Sequence, residues 1–266
     1  MIIAEIGWNF LGDLDLAKKM IDQVSDAGCQ HVKFQLWDPK NLKNGPWDTD
    51  GRREIYNKAY LDEDKYRILY EYSKNKRLNC FASVFNLDSY KILLNSSQKY
   101  IKIPSLEAHD LNLIKKSLND FENVIVSTGA LKSEELKSLE KFKDCENLTL
   151  LHCVSSYPLS YNQCNFSKFF HLKKIFKKAG YSGHCPGIQD AIFAISNGAC
   201  AVEKHFTIDN NLPGRDNKFA ILKKDLENLC KYQQLVKDMT INKGLDLQDS
   251  EIDAHKNYRG RWKKEL

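Results

Sequence analysis

Short runs rich in Ile, Val and Phe alternate along this chain with segments of helical period, and the alternation repeats eight times. Few folds accommodate that. Each helical crossover returns the chain to the same end of a sheet, so the strands must run parallel, and eight such units in about 240 residues close into an α/β (β/α)8 TIM barrel. Strands are predicted near Ile2 to Ile6, His31 to Gln35, Asn79 to Ala82, Tyr100 to Ile103, Val124 to Ser127, Leu148 to His152, Tyr181 to Ser182 and Ala201 to Lys204. The seventh carries the weakest signal. Leu16, Ala17, Met20, Ile21 and Val24 form one apolar helical stripe, and Leu222, Leu226, Leu229 and Gln233 trace the last helix. An open doubly wound sheet is the alternative, but no Gly-x-Gly-x-x-Gly follows the first strand to support a dinucleotide-binding version. The reading is a single barrel domain over residues 1–240 and a short polar, basic tail over 241–266.

Composition enters as a filter. The 266 residues carry 40 Lys+Arg against 35 Asp+Glu, and a surplus of +5 points to neither a nucleic-acid nor a membrane partner. The longest apolar run, Ala191 to Val202, is broken by Ser196, Asn197 and Gly198 and falls short of the roughly 20 residues of a spanning helix. MIIAEIGWNF lacks a basic leader and reads as a first strand, so the mature chain is expected to start there. The eight cysteines (29, 80, 145, 153, 164, 185, 200 and 230) form no CxxC pair and mostly lie in apolar segments, which points to a reducing cytoplasm. Two stretches exceed ordinary βα loops, Trp37 to Tyr60 and Phe206 to Ala220, and read as substrate loops or lids.

In a barrel the chemistry gathers at the C-terminal ends of the strands, and here every strand places polar residues there. They are Glu5; Lys33 and Gln35; Ser83; Lys102 and Ser105; Ser127 and Thr128; His152 and Ser155; Ser182 and His184; Glu203, Lys204 and His205. Lys33 and Lys102 are flanked by apolar residues, and buried ammonium groups are costly unless an anion or a carboxylate pairs them; an anionic substrate is the economical partner. The hydroxyls of Ser83, Ser105, Ser127, Ser155 and Ser182, with backbone N–H groups beside Gly129 and Gly183, could cradle its oxygens. Ser133, followed by Glu134 and Glu135, reads instead as a helix cap. His184 and His205 end neighbouring strands and could share a divalent metal near Glu5, Glu203 and Asp216. Mn, Mg, Co or Fe suit such a nitrogen and oxygen set better than closed tetrahedral Zn, and the residues do not rank the four.

The segments Ile3-Ala-Glu-Ile-Gly7, Val32-Lys-Phe-Gln35, Lys102-Ile-Pro-Ser105, Ser127-Thr-Gly129, Leu151-His-Cys-Val-Ser-Ser-Tyr-Pro158, Glu203-Lys-His-Phe-Thr207 and Asn211-Leu-Pro-Gly214 resemble the sialic acid synthase family, in its order and over roughly residues 1 to 240. The resemblance implies a TIM barrel that condenses phosphoenolpyruvate with an acylated amino sugar in its open aldehyde form, with a divalent metal and release of phosphate, and a homodimer. Carried over by motif, Lys33, Ser83, Lys102, Ser105, Ser127, Ser155, Ser182 and His205 would hold phosphoenolpyruvate, and His184 and His205 the metal. Glu5, Gln35, Glu107, Tyr157 and Asp216 would face the sugar, with Glu5 positioning water or aiding proton transfer.

Departures from the family pattern cluster at the sugar end. Asn9-Phe10-Leu11-Gly12 stands where Asn-His-x-Gly is usual, Ser182-Gly183-His184 for Ser-Asp-His, Ser105-Leu106-Glu107 for Ser-Gly-Glu, and Gly214-Arg-Asp-Asn217 for Gly-x-Asp-His. The sequence also stops at Leu266, short of the small antifreeze-like domain that family members add, which lends an Arg to the partner's acceptor site. The site is therefore expected either to accept a shorter or less acylated aldose or to close over its acceptor with the Trp37 to Tyr60 loop, whose Trp47, Arg52 and Arg53 could serve as a substitute lid. Two other functions compete: a metal-free aldolase using Lys102 as a Schiff base, and a non-catalytic or regulatory barrel that binds an anionic ligand.

Overall fold

The computed structural model describes Met1–Trp262. Eight parallel strands close into a barrel in chain order: β1 (Ile2–Gly7), β2 (His31–Leu36), β3 (Asn79–Val84), β4 (Tyr100–Ile103), β5 (Asn123–Ser127), β6 (Leu148–Cys153), β7 (Ala179–Gly183) and β8 (Val202–His205), with β8 pairing back onto β1. Around them run α1 (Leu14–Asp26), α2 (Arg52–Lys58), α3 (Glu63–Asn75), α4 (Leu87–Asn95), α5 (Leu111–Asp120), α6 (Ser133–Ser138), α7 (Phe166–Ile175), α8 (Gln189–Ser196) and α9 (Lys223–Met239). Among the described residues no helix is long and apolar enough to cross a membrane.

Strand side chains alternate between two environments, and the alternation builds the site. Outward residues such as Ala4, Val32, Phe34, Ala82, Ile101, Val124, Leu150 and Val202 join the large core beneath the helices. Inward residues Ile3, Phe81, Ile125 and Leu151, with Ala201 before β8, form a separate apolar plug across the lower barrel. Two residues further along the same strands the inward row turns polar, at Glu5, Ser83, Ser127, Cys153 and Glu203. A dry floor thus underlies a charged mouth.

Helix α1 shows how locally this is encoded. Asp13 caps it by accepting from Asp15 N at 2.9 Å and Leu16 N at 3.0 Å, and Ala17, Met20, Ile21 and Val24 are its buried stripe. Three expectations need correction. Strand β7 runs two residues further back than Tyr181, because Ala179 and Gly180 pair where side chains have no room: a Cβ on Gly180 would meet Ala201 O at 2.3 Å. Ser133 is the first residue of α6 and not its cap; Lys132 precedes it and its N–H is taken by Glu135 at 2.8 Å. Leu222 precedes α9 and is 36% exposed, so Leu226 and Leu229 carry that helix's burial.

The Trp37 to Tyr60 excursion is partly ordered as α2 and two 3-10 turns, Pro39–Asn41 and Pro46–Asp48. Trp47 donates to Lys43 O at 2.7 Å, while Arg52 pairs with Asp50 and Arg53 with Asp48, so these three fold the loop on itself and do not form the expected lid. Trp37 and Tyr56 face the barrel mouth instead, packing on Trp8 at 6.1 and 5.1 Å between ring centroids. Gly12 fastens the excursion to the β1 loop: its φ is +82°, and a Cβ would lie 2.0 Å from Lys58 O.

Candidate active site

The two buried lysines are answered by carboxylates of the chain. Lys33 Nζ lies 2.7 Å from Glu5 Oε2 and donates to Ser83 Oγ at 2.7 Å. Lys102 Nζ lies 2.8 Å from Glu203 Oε2, which is also 3.8 Å from Lys33. Of the two kinds of partner expected, a carboxylate or an anionic substrate, the chain supplies the first through Glu5 and Glu203. Gln35 donates to Glu5 Oε1 at 2.5 Å, and Ser182 donates to Glu203 Oε1 at 3.0 Å. All four charged groups are at most 6% exposed, so their interactions act with little water to screen them.

The carboxylates answer burial differently. For Glu5 burial outweighs Lys33 and, with the negative charge of Glu203 adding to it, raises the carboxyl to about 7. For Glu203 burial acts in the same direction, but Lys102 and then Lys33 overcome it and hold the group at about 2. Lys102 is lowered, first by burial and also by the charge of Lys33, with Glu203 pulling the other way.

Across the mouth the polar groups are left open. Ser127 Oγ and Ser155 Oγ are buried without a hydrogen-bond partner. Ser105 Oγ accepts from Gly129 N at 3.0 Å, and a Cβ on Gly129 would come within 2.3 Å of Ser155 Oγ and 2.8 Å of Ser105 Oγ, so glycine keeps this hollow free of a side chain. Of the five expected hydroxyls, those of Ser83, Ser105 and Ser182 are engaged with protein groups. Gly183 does not contribute to this hollow, because the space beside it is taken by Asp190 from outside the barrel.

His184 and His205 come together, with ring centroids 5.5 Å apart. His184 Nδ1 lies 2.9 Å from Val154 O, which can only accept, so Nδ1 carries a proton and, in the neutral ring, Nε2 keeps its lone pair. His205 Nδ1 has no hydrogen-bond partner and is 3.5 Å from Asp216 Oδ2. Tyr157 covers His184 at 4.1 Å between rings. Asp216 accepts from Trp8 Nε1 at 2.6 Å, and burial raises it to about 6 against that bond. A divalent ion fits this donor set, an imidazole with a free lone pair beside an orphaned ring nitrogen. Among the described residues no group of three or more His, Cys, Asp or Glu forms a ready metal cage, so water and substrate oxygens would complete the shell.

Other candidates fall elsewhere. Glu107 is not in the central cluster; it lines an open cavity of about 530 Å³ with Asn41, Phe85, Asp88 and Lys91. His152 faces outward, 2.7 Å from Cys164 O, and Lys204 also points out of the barrel. Thr128 Oγ1 is spent on Leu151 O. Two of the departures at the sugar end are structural. Phe10 is fully buried against Phe34 in the outer core, and Asn217 ties Thr207, Asn9 and Pro213 together. Leu106 is 63% exposed. Trp8 escaped the sequence reading, although its place directly after the strand end at Gly7 was a signal. Glu203 was read as a neighbour of the histidines, and its pairing with Lys102 required knowing which strands face each other across the barrel.

The NeuB family profile matches residues 20–243. N,N'-diacetyllegionaminic acid synthase of Campylobacter jejuni is 34% identical over 257 residues, covering 90% of this chain and 77% of the relative. Pseudaminic acid synthase of the same species is 32% identical over 235 residues, covering 83% and 68%. The crystal structure of N-acetylneuraminic acid synthetase from Leptospira borgpetersenii, in complex with citrate, superposes with a TM-score of 0.85 at 30% identity, covering 98% of this chain and 91% of that one. The expected family is therefore the observed one: the chain belongs to the NeuB family, whose matched relatives are synthases of sialic-acid-like sugars.

Proposed function

We propose that this barrel condenses phosphoenolpyruvate with an aldose, an acylated amino sugar or related aldehyde, to give a sialic-acid-like 2-keto-3-deoxy sugar acid and phosphate. The observation that carries it is the buried Lys33–Glu5 and Lys102–Glu203 row facing two unpartnered hydroxyls and the histidine pair, in a chain whose relatives are named sugar-acid synthases. Phosphoenolpyruvate brings carboxylate and phosphate charge, and Lys33 and Lys102 can turn toward it while remaining near Glu5 and Glu203. Ser127 and Ser155 donate to its oxygens, with Ser105 and Gly129 closing the hollow.

His184 and His205 would hold the divalent ion, with Mn or Mg as the expectation. Its chemistry there is Lewis-acid polarisation of an aldehyde oxygen. C3 of the enol attacks the aldehyde carbon and the aldehyde oxygen takes up a proton to become a hydroxyl; C2 becomes cationic and takes water, and the C2–O bond to phosphate breaks as the new C2 hydroxyl gives up its proton to leave the ketone, so that the two protons of the water end on the sugar hydroxyl and on phosphate. Glu5, raised to about 7 with its Oε1 on Gln35, is poised near neutral pH to accept the proton of that water. Tyr157, Asp216 and Trp8 form the wall against which the sugar lies, and Glu107 borders the adjoining cavity. A homodimer and a cytoplasmic location belong to the same reading.

The experiment is phosphate release from phosphoenolpyruvate with Mn and a panel of aldoses, with borohydride trapping by pyruvate in parallel. Aldose-dependent release with no trapped Lys102 supports the condensation. Trapping at Lys102 without release supports the aldolase. Binding of phosphoenolpyruvate with no turnover on any aldose supports the non-catalytic barrel.

A further inference from the structure

Between the inward Glu203 and His205, β8 turns Lys204 outward, and this ammonium is 2% exposed. Its Nζ donates to Cys185 O at 2.7 Å and to both carboxylate oxygens of Asp190 at 3.0 Å. Asp190, in the first turn of α8, is buried as well and accepts from the Tyr181 hydroxyl at 3.1 Å. The carboxylate reaches β7 only because residue 183 is glycine: a Cβ there would lie 2.3 Å from Asp190 Oδ2 and 2.6 Å from the Tyr181 ring. Where Ser-Asp-His is usual at this strand end, the chain reads Ser182-Gly183-His184 and brings its carboxylate in from the following helix.

None of these groups faces the barrel mouth, yet they grip the backbone that carries His184. Cys185, whose carbonyl Lys204 holds, is the next residue. On the other side Leu159 N donates to His184 O at 3.0 Å, and the His184 ring donates to Val154 O at 2.9 Å. For packing alone a buried ion pair is a poor choice, since apolar residues of similar volume usually serve as well or better. An apolar pair, however, cannot hold a carbonyl.

We propose that the Lys204–Asp190 ion pair, admitted by Gly183, is a positioning device for His184: by holding the Cys185 carbonyl it keeps Nδ1 on Val154 and Nε2 turned toward the site. Its consequence for turnover rests on the reading of His184 as a metal ligand, but the ring's state can be read without metal or substrate.

The test compares wild type, Lys204→Met/Asp190→Leu and Asp190→Asn by nitrogen–proton correlation spectra of the histidine side chains in metal-free protein. The double variant leaves no unpaired buried charge. Wild type should show His184 as a single Nδ1–H tautomer. In the double variant that signal should give way to mixed tautomers while the fold persists, and Mn binding by calorimetry should weaken by about tenfold or more. Asp190→Asn should shift the same signal less. A folded double variant that keeps the single tautomer and wild-type Mn affinity overturns the proposal. If the double variant does not fold, an unshifted His184 signal in Asp190→Asn overturns it as well. If the tautomer shifts but wild type binds no Mn, the positioning device stands and the metal reading fails.

Discussion

At the barrel mouth Glu5, Lys33, Ser83 and Lys102 of β1 to β4 form one paired side together with Glu203, which reaches them from β8, whereas on the other side the hydroxyls of Ser127 and Ser155 and Nδ1 of His205 have no hydrogen-bond partner. The first side resembles a finished protein core built from charges. The second resembles a core with a piece missing. Buried polar atoms are ordinarily paired, so unpaired ones gathered at the mouth of a barrel mark where a ligand supplies the partners. In the proposed function the first set creates the field of the site and the second reads the ligand, and substitutions on the two sides should fail in different ways.

The largest effect is expected on the paired side. Glu203→Ala removes the carboxylate that answers Lys102 and lies near Lys33, and should cost about 3–5 kcal/mol in urea unfolding, because it strands buried charge. A loss below about 1 kcal/mol would show that water or rearrangement compensates the lysines and that the side is less closed than described.

The pH dependence of stability should split the two carboxylates. Glu203, held at about 2, contributes stability that is present above its unfolded value of 4.5 and is lost as pH falls from there toward 2. Glu5, raised to about 7, works the other way: the folded chain keeps a proton that the unfolded chain releases, so its contribution is present below 4.5 and is lost as pH rises toward 7. Glu5→Gln should therefore flatten the stability profile between those values without changing the acid limb, as measured by thermal unfolding across pH. A steeper profile in the variant would contradict the assignment.

The smallest effect on stability belongs to the open side. Ser127→Ala and Ser155→Ala remove hydroxyls that have no protein hydrogen-bond partner and should change unfolding free energy by no more than about 0.5 kcal/mol, or raise it slightly. A loss of about 2 kcal/mol from either would mean that its hydroxyl has a protein or water partner and that the contrast between the two sides is overdrawn.

The barrel was legible because it is written eight times, but the strand-end reading did not tell inward from outward residues, and it took in His152 and Lys204, which point out of the barrel. Strand β7 was nearly silent because Gly180 and Gly183 are dictated by the close approach of Ala201 and Asp190, which leaves no apolar run to detect. The site residues were legible by their place at strand ends. Their partners were not, since the Lys102–Glu203 pair joins residues 101 positions apart across the barrel interior. Phe10 and Asn217 looked like acceptor contacts in the sequence, but the turn after β1 sends the first into the outer core and three neighbouring groups consume the second. Trp47, Arg52 and Arg53 were misplaced for a similar reason, as acidic residues within their own loop satisfy both arginines.

The central claim is that the open side receives phosphoenolpyruvate, and calorimetric titration of phosphoenolpyruvate into wild type and the Ser127→Ala/Ser155→Ala double variant tests it most directly. The account predicts that the variant unfolds at the wild-type temperature and binds phosphoenolpyruvate more weakly by about tenfold or more, as expected for losing two hydrogen bonds to a charged ligand. Unchanged affinity in a folded variant would contradict it and place the ligand elsewhere in the barrel.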